Sequence, residues 1–181
     1  MDFALRREQL IKETKEKLVS SITDDYQITQ AISAITELDR SANILVSRFR
    51  EWYGLFYPER LRTFSDHEAL IEKVLSTERS NADSMMGADF SDEDITALFG
   101  LAEDIQRLYK QKGSLTEYIR VKMQSFCPDV LAICGPLIGA KLLAHKGTLK
   151  ELAFMPASTI QLLGAEKALF RHLRSHAKSP K

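Results

Sequence analysis

DYQITQAISAITELDRSANILVSRFREWYGLF, at residues 25–56, is the stretch whose spacing decides the fold. Its apolar residues recur at intervals of three and four, which is close to the heptad repeat of coiled-coil helices. This pattern predicts a single helix about 45 Å long, which ends at Pro58 because proline cannot continue it. The residues of the predicted seam are Ile28, Ile32, Ile35, Leu38, Ala42, Leu45, Phe49, Trp52 and Phe56.

Two shorter stretches on either side of this seam also predict helices. An apolar stripe predicts a helix over residues 3–22. A capping box formed by Ser65 and Glu68 predicts a second helix that ends near residue 75. Residues 78–89 are expected to form a loop. The stripe of the first helix consists of Phe3, Leu10, Ile11, Leu18, Val19 and Ile22.

A second long helix is predicted to begin at Ser91, which can cap its first turn after Phe90. Its apolar seam continues through Gly113 without a change of phase, so we expect one helix rather than two. The seam includes Ile105 and Leu108.

The chain is therefore predicted to be all-α, because no segment shows sustained alternation with a period of two. Residues 1–125 are expected to form an elongated antiparallel coiled-coil module that pairs two copies in a homodimer. Residues 126–181 hold four of the five prolines, which predicts a compact domain of short helices. The residues expected at the coiled-coil and dimer core are Ile28, Ile32, Ile35, Leu45, Phe49, Trp52, Ile105 and Leu108.

Charge divides along the same boundary. The chain has 25 basic and 25 acidic residues, and a net charge of zero argues against a nucleic-acid binder. However, residues 1–125 carry a balance of −5 and residues 126–181 a balance of +5. The basic tail is therefore the part expected to contact an anionic partner.

The sequence predicts an intracellular protein that does not enter a membrane. No window approaches 18 consecutive apolar residues. The N-terminus has neither an apolar core nor a small-residue cleavage site of a signal peptide.

The sequence contains no complete motif for catalysis or cofactor binding. GPLIGAK at residues 135–141 superficially resembles a phosphate loop, but its glycine spacing differs and no Ser or Thr follows Lys141. We interpret Gly135 and Gly139 instead as the small-residue face of one helix. No Ser/His/Asp or paired-carboxylate arrangement stands out, so we expect neither catalysis nor a cofactor.

Metal and disulfide chemistry are also not predicted. His172 and His176 are four residues apart, but no third ligand is evident. Cys127 and Cys134 on one helix would lie about 10 Å apart, which is too far for a disulfide.

The last predicted helix, residues 165–175, combines an apolar and a basic side. Lys167, Arg171 and Arg174 share one face, whereas Leu169 and Phe170 are expected to pack inward. The basic face is open to two interpretations, a solvated surface or a phosphate-binding surface. The second would also use the free amides at the Gly164 turn.

The tail resembles the signature of the Nop domain of box C/D ribonucleoprotein core proteins and of their spliceosomal relative. The matching elements are Gly147 with Leu149 and Leu152, the turn at residues 155–158, Gln161, and the block GAEKALFR at residues 164–171. The front resembles the coiled-coil module of the family through REWYG at residues 50–54 and the segment from Phe56 to Glu59.

The resemblance implies a non-catalytic scaffold that recognises a kink-turn RNA together with a small ribosomal-type protein already bound to it. In such proteins the coiled-coil module pairs two copies, and the complex supports guide-directed 2′-O-methylation by fibrillarin. The positions implied at this RNA–protein surface are Gln161, Glu166, Lys167 and Arg171. Lys150, His172 and Arg174 are added on charge and helix phase alone.

Two departures and two alternatives accompany this resemblance. The chain begins close to the coiled-coil region and stops at Lys181 within the Nop domain. Fibrillarin is therefore expected to bind only through a domain absent from this chain. The alternatives are a splicing-type protein that binds a kink-turn snRNA complex, and an interaction-only dimer. A nucleolar or nuclear location is expected in a eukaryote and a cytoplasmic one in an archaeon.

Overall fold

The computed structural model describes residues 3–62, 64, 66–76 and 86–175. Helices and their connections account for these residues, and none of them lies in a strand, which confirms the all-α prediction. The helices are α1 (Phe3–Ser21), α2 (Asp24–Phe56), α3 (Pro58–Leu61), α4 (His67–Ser76), α5 (Asp92–Phe126), α6 (Pro128–Lys146), α7 (Leu149–Ala153), α8 (Ala157–Leu162) and α9 (Glu166–Ser175).

The contacts divide the chain into two compact units. One consists of Ala34–Glu117, and the other joins Met1–Ser33 to Tyr118–Lys181. Both α2 and α5 contribute residues to each unit. The boundary predicted at residues 125 and 126 stays a prediction.

The buried stripe of α2 follows the heptad repeat, but three of its predicted members were placed one residue too early. Leu38, Leu45 and Trp52 are only half-buried. The heptad instead passes through their next neighbours, of which Val46 and Tyr53 are buried. The predicted members that are buried are Ile28, Ile32, Ile35, Ala42, Phe49 and Phe56.

Asp39 explains the shift, because a carboxylate is unexpected in an apolar seam. The Asp39 Oδ1 atom lies 2.7 Å from the Lys112 Nζ atom of α5. Both side chains remain about 40% exposed, so the ion pair contributes little to stability. It nevertheless allows a charged residue to occupy the heptad position between Ile35 and Ala42.

Aromatic side chains form the core of the unit Ala34–Glu117. The Phe49 and Tyr53 rings stack with centroids 5.4 Å apart, and the Phe56 ring stacks on Phe90 at 4.8 Å. Asp39 of α2 pairs with Lys112 of α5, and Phe56 near the end of α2 stacks on Phe90, just before the start of α5. The two helices therefore run antiparallel in this unit. Leu70, Ile71 and Val74 of α4, with Leu98, Phe99 and Ile105 of α5, complete the core.

Short polar side chains set the helix starts. The Ala69 amide donates to the Asp66 carboxylate at 2.9 Å, so Asp66 caps α4, whereas the predicted cap Ser65 lies outside the described residues. The Asp94 amide donates to the Ser91 hydroxyl oxygen at 3.2 Å, and the Ser91 amide donates back to the Asp94 carboxylate. This reciprocal capping confirms the predicted start of α5. Residues 78–85 of the predicted loop are outside the described residues.

The prediction that Gly135 and Gly139 share one helical face is wrong. Gly135 has φ of 71° and ψ of 173°, and Pro136 follows it, so the backbone leaves the helix there. A Cβ atom on Gly139 would lie only 3.1 Å from Val130 Cγ1, although nine residues separate the two. The second half of α6 therefore folds back onto the first, and Gly139 permits their close approach.

By length and composition alone, α6 could cross a membrane. The break at Gly135 argues against this interpretation, because it leaves two short helical halves rather than one span. Backbone groups freed at such a break would also lack partners in lipid. Gly139, Ala140 and Leu143 are buried, whereas Ile133 and Ile138 are 83% and 61% exposed, so only part of the apolar surface of α6 is packed within the described residues.

The side chains of α1 that the structure describes are all exposed. They include the predicted apolar stripe, in which Phe3 is 92% and Val19 75% exposed. The described part of the chain does not cover this stripe.

Two glycines should respond oppositely to alanine. Gly113 lies within the continuous helix α5 and has open space around it, so Gly113→Ala should raise the free energy of unfolding by about 0.5–1 kcal/mol. Gly135 also has open space but a positive φ, so Gly135→Ala should lower it by about 1–2 kcal/mol. Urea unfolding followed by circular dichroism measures both, and a gain in stability from Gly135→Ala would contradict the break.

Candidate nucleic-acid interface

Two glycines with positive φ position the short helices of the tail. Gly147, with φ of 88°, ends α6 and donates its amide to the Leu143 carbonyl at 2.7 Å. Gly164, with φ of 80°, lies between α8 and α9. Glycine adopts this backbone conformation without a steric penalty. The chain can therefore turn sharply at both ends of the segment that carries α7 and α8.

Thr148 caps the start of α7. Its backbone is extended, and its hydroxyl oxygen accepts the Glu151 amide at 3.1 Å. One of the amides that has no partner within the helix is thereby satisfied.

Glu166 caps the start of α9. Its Oε1 atom accepts the Gly164 amide at 3.0 Å. Hydrogen bonds from its own amide and from the Gly164 amide lower the pKa of the Glu166 carboxyl, and the charges of His145 and Lys146 lower it further. The phosphate-binding interpretation would use the amides at the Gly164 turn, but the Gly164 amide is already occupied by the Glu166 carboxylate.

The basic side of α9 forms an open groove of about 430 Å³. Lys167, Phe170, Arg171 and Arg174 line it, at positions i, i+3, i+4 and i+7 of one helical face. Phe170 is 58% exposed, which contradicts the prediction that it packs inward. The reason is its phase, since it lies three residues after Lys167 and four before Arg174.

An exposed aromatic ring among cations is suited to a nucleic acid. Guanidinium and ammonium groups bind phosphate oxygens, and an aromatic ring can stack on an unpaired base. The position of Phe170 among three cations on one helical face is therefore the feature that this surface offers to a ligand.

The other predicted site residues lie outside the groove. Lys150 on α7 and Gln161 on α8 are exposed, and His172 on α9 is half-buried. Sequence reasoning missed His145 and Lys146, which lie close enough to Glu166 to affect its carboxyl. Their position in the last turn of α6, one and two residues before the Gly147 stop, was the available signal.

The residues predicted for the dimer core are packed within one copy of the chain. Ile28, Ile32, Ile35, Phe49 and Ile105 are buried, and Leu45, Trp52 and Leu108 are half-buried.

Within the described part of the chain, no group of three His, Cys, Asp or Glu side chains could hold a metal ion. His176, the second histidine of the pair considered above, lies outside the described residues. Cys127 and Cys134 are free thiols.

These features define a class: an all-α protein with a long-helix seam and a short-helix tail that ends in a basic face bearing an aromatic residue. The chain belongs to the Nop family. The family model, described as "snoRNA binding domain, fibrillarin", matches residues 34–181.

The chain is similar to proteins named nucleolar protein 58. It is 37% identical over 179 residues to the one from Schizosaccharomyces pombe, covering 87% of this chain and 35% of the relative. The human protein is 36% identical over 179 residues, covering 87% and 34%. The protein from Aspergillus fumigatus is 35% identical over 179 residues, covering 87% and 30%. The chain thus spans about a third of the length of these relatives.

The Glu166 cap should weaken in acid. A carboxyl whose pKa is lowered in the folded state stabilises that state above its ordinary pKa of 4.5, and the contribution is lost as the pH falls through the lowered value. The Gly164 amide resonance should therefore titrate below the ordinary pKa in a nuclear magnetic resonance experiment. Glu166→Gln should abolish that titration, and an unchanged titration in this variant would contradict the cap.

Proposed function

We propose that this chain is a non-catalytic RNA-binding scaffold of a box C/D-type ribonucleoprotein. Its RNA-binding surface is the basic face of α9. The observation that carries the proposal is the groove in which an exposed Phe170 lies among Lys167, Arg171 and Arg174. The family description, which names a snoRNA binding domain, agrees with this chemistry.

The proposed ligand is a kink-turn RNA bound together with its small ribosomal-type protein. Three cations and one aromatic ring are few for tight binding to RNA alone, so a composite surface would supply the remaining affinity. Gln161 and Lys150 are exposed on the neighbouring helices and are the positions proposed for the protein part of that surface. Glu166 would act indirectly, by fixing the start of α9.

Within the complete particle, the scaffold would support guide-directed 2′-O-methylation. Fibrillarin would supply that chemistry. The relatives named nucleolar protein 58 are eukaryotic, which supports a nucleolar location. A splicing-type kink-turn complex is the competing RNA ligand.

Charge reversal should abolish the ternary complex. Lys167→Glu with Arg171→Glu removes two contacts to charged phosphate oxygens, each worth about 1.5–3 kcal/mol, so the affinity should fall by roughly 100-fold or more. The slope of log affinity against log salt should also decrease in magnitude by about 2. Gel-shift titration of a kink-turn RNA, carrying its small protein, measures both quantities.

A matched control makes the same change in net charge on two other helices. Arg40→Glu with Lys110→Glu alters two exposed residues on α2 and α5, and it should leave the affinity within about threefold of the unaltered protein. Equal binding by the α9 variant and the unaltered protein would refute the site. Absence of binding by the unaltered protein would instead favour the interaction-only dimer, and stronger binding of a spliceosomal kink-turn would favour the splicing branch.

The same scaffold is proposed to form a homodimer. Because the seam residues are occupied within the chain, the apolar stripe of α1 is the surface that supports pairing. Helices in proteins gain most of their stability from packing of an apolar face, so a partner that covers the stripe of α1 would stabilise this helix.

Acidic residues in this stripe should separate the copies. Leu10 and Leu18 are about half-exposed, and Leu10→Asp with Leu18→Asp should weaken the dimer by about 100-fold, since each apolar side chain contributes about 1.5–3 kcal/mol when buried. Sedimentation equilibrium measures the change. Ile44→Asp with Leu55→Asp is the control on exposed positions of α2. A dimer that survives the first pair and dissociates with the second would overturn the assignment.

A further inference from the structure

Two consecutive carboxylates begin α2, and they differ in environment. Asp24 is partly exposed and forms an ion pair with Lys122 of α5. Asp25 is only 6% exposed and is the buried charged residue among those the structure describes. Burial of a carboxylate costs several kcal/mol unless hydrogen bonds compensate for the lost water, so the contacts of Asp25 need an explanation.

The principal partner of Asp25 is an amide 124 residues later in the chain. The Leu149 amide donates to the Asp25 Oδ1 atom at 3.2 Å. The Thr23 hydroxyl makes a longer contact of 3.5 Å with Oδ2. Asp25 also lies in the first turn of α2, where the helix dipole favours a negative charge. Among the described residues no cation forms an ion pair with Asp25, so these hydrogen bonds and the helix dipole compensate for its burial.

Leu149 is the first residue of α7, so its amide has no acceptor within that helix. The Thr148 hydroxyl satisfies the amide of Glu151, and Asp25 satisfies that of Leu149. The start of α7 is therefore capped from two places, one local and one at the opposite end of the sequence.

Asp25 also lies near the beginning of α6. Burial raises the pKa of the Cys127 thiol, and the charge of Asp25 raises it further. Cys127 immediately precedes α6, and Leu149 lies just beyond the Gly147 stop. Because α6 folds back at Gly135, one carboxylate can act near both of its ends.

We propose that Asp25 is a positioning residue for the RNA-binding surface, a role that rests on the function proposed above. Its hydrogen bond to Leu149 fixes the point at which the chain leaves α6 and enters α7. The segment from α7 to α9 continues from that point, and it carries Lys150, Gln161 and the groove of α9. Loss of the bond should loosen this entry while the remaining helices persist.

The test compares three variants of the full chain. Asp25→Ala removes the acceptor, Asp25→Asn keeps a neutral acceptor of nearly the same shape, and Asp24→Asn is the matched control on the exposed neighbour. Exchange of the Leu149 amide should accelerate about tenfold or more in Asp25→Ala, as expected for loss of a bond to a charged acceptor. It should stay within about threefold of the unaltered protein in the other two. Circular dichroism checks that the helix content is retained.

Ternary binding to the kink-turn RNA and its small protein is measured on the same samples. We expect Asp25→Ala to bind about tenfold more weakly and Asp25→Asn to recover most of that loss. Unchanged Leu149 exchange in Asp25→Ala would overturn the hydrogen bond. Accelerated exchange with unchanged RNA affinity would overturn the positioning role. If the unaltered protein binds no RNA, the proposed function fails, and Leu149 exchange still decides whether Asp25 holds the turn.

Discussion

Burial of the apolar stripe of α2 is the interaction on which the rest of the structure depends. Helices gain most of their stability in proteins from packing of an apolar face, so a helix of 33 residues needs a partner along its length. In the unit Ala34–Glu117 that partner is provided by α4 and α5, around the stacked rings of Phe49 and Tyr53. Every element after α5 continues from a helix whose path this seam determines.

Most of the helical framework could be predicted because its signals are local and periodic. The heptad spacing of residues 28–56 and the Ser91 and Thr148 caps each act within one or two turns of their own helix. Asp39 was missed because the predicted seam was composed of apolar residues only. Lys112, which accommodates it, lies 73 residues away, and no periodicity connects the two residues.

Three features of the tail could not be predicted from sequence periodicity, each for a different reason. The positive φ of Gly135 is a backbone property that an apolar stretch does not reveal, and it converts one predicted helix face into a folded-back pair. Phe170 was assigned by hydropathy, although its spacing from Lys167 and Arg174 placed it on the basic face. Asp25 and Leu149 meet only because of the tertiary fold. The cations of α9 could be predicted from charge and helix phase alone. The capping role of the Glu166 carboxylate became evident only from the three-dimensional structure.

One of the two units is formed from two separate stretches of the sequence, and this affects the order in which the chain can fold during synthesis. Residues 34–117 are contiguous and can pack as soon as they leave the ribosome, whereas residues 1–33 belong with residues that follow position 117. Asp25 must wait for a partner 124 residues behind it, an interval of about 6–25 s at ordinary translation rates. During that interval the Asp25 carboxylate lacks the Leu149 amide that compensates for its burial. Residues 34–117 can thus pack before the start of α2 reaches its final environment.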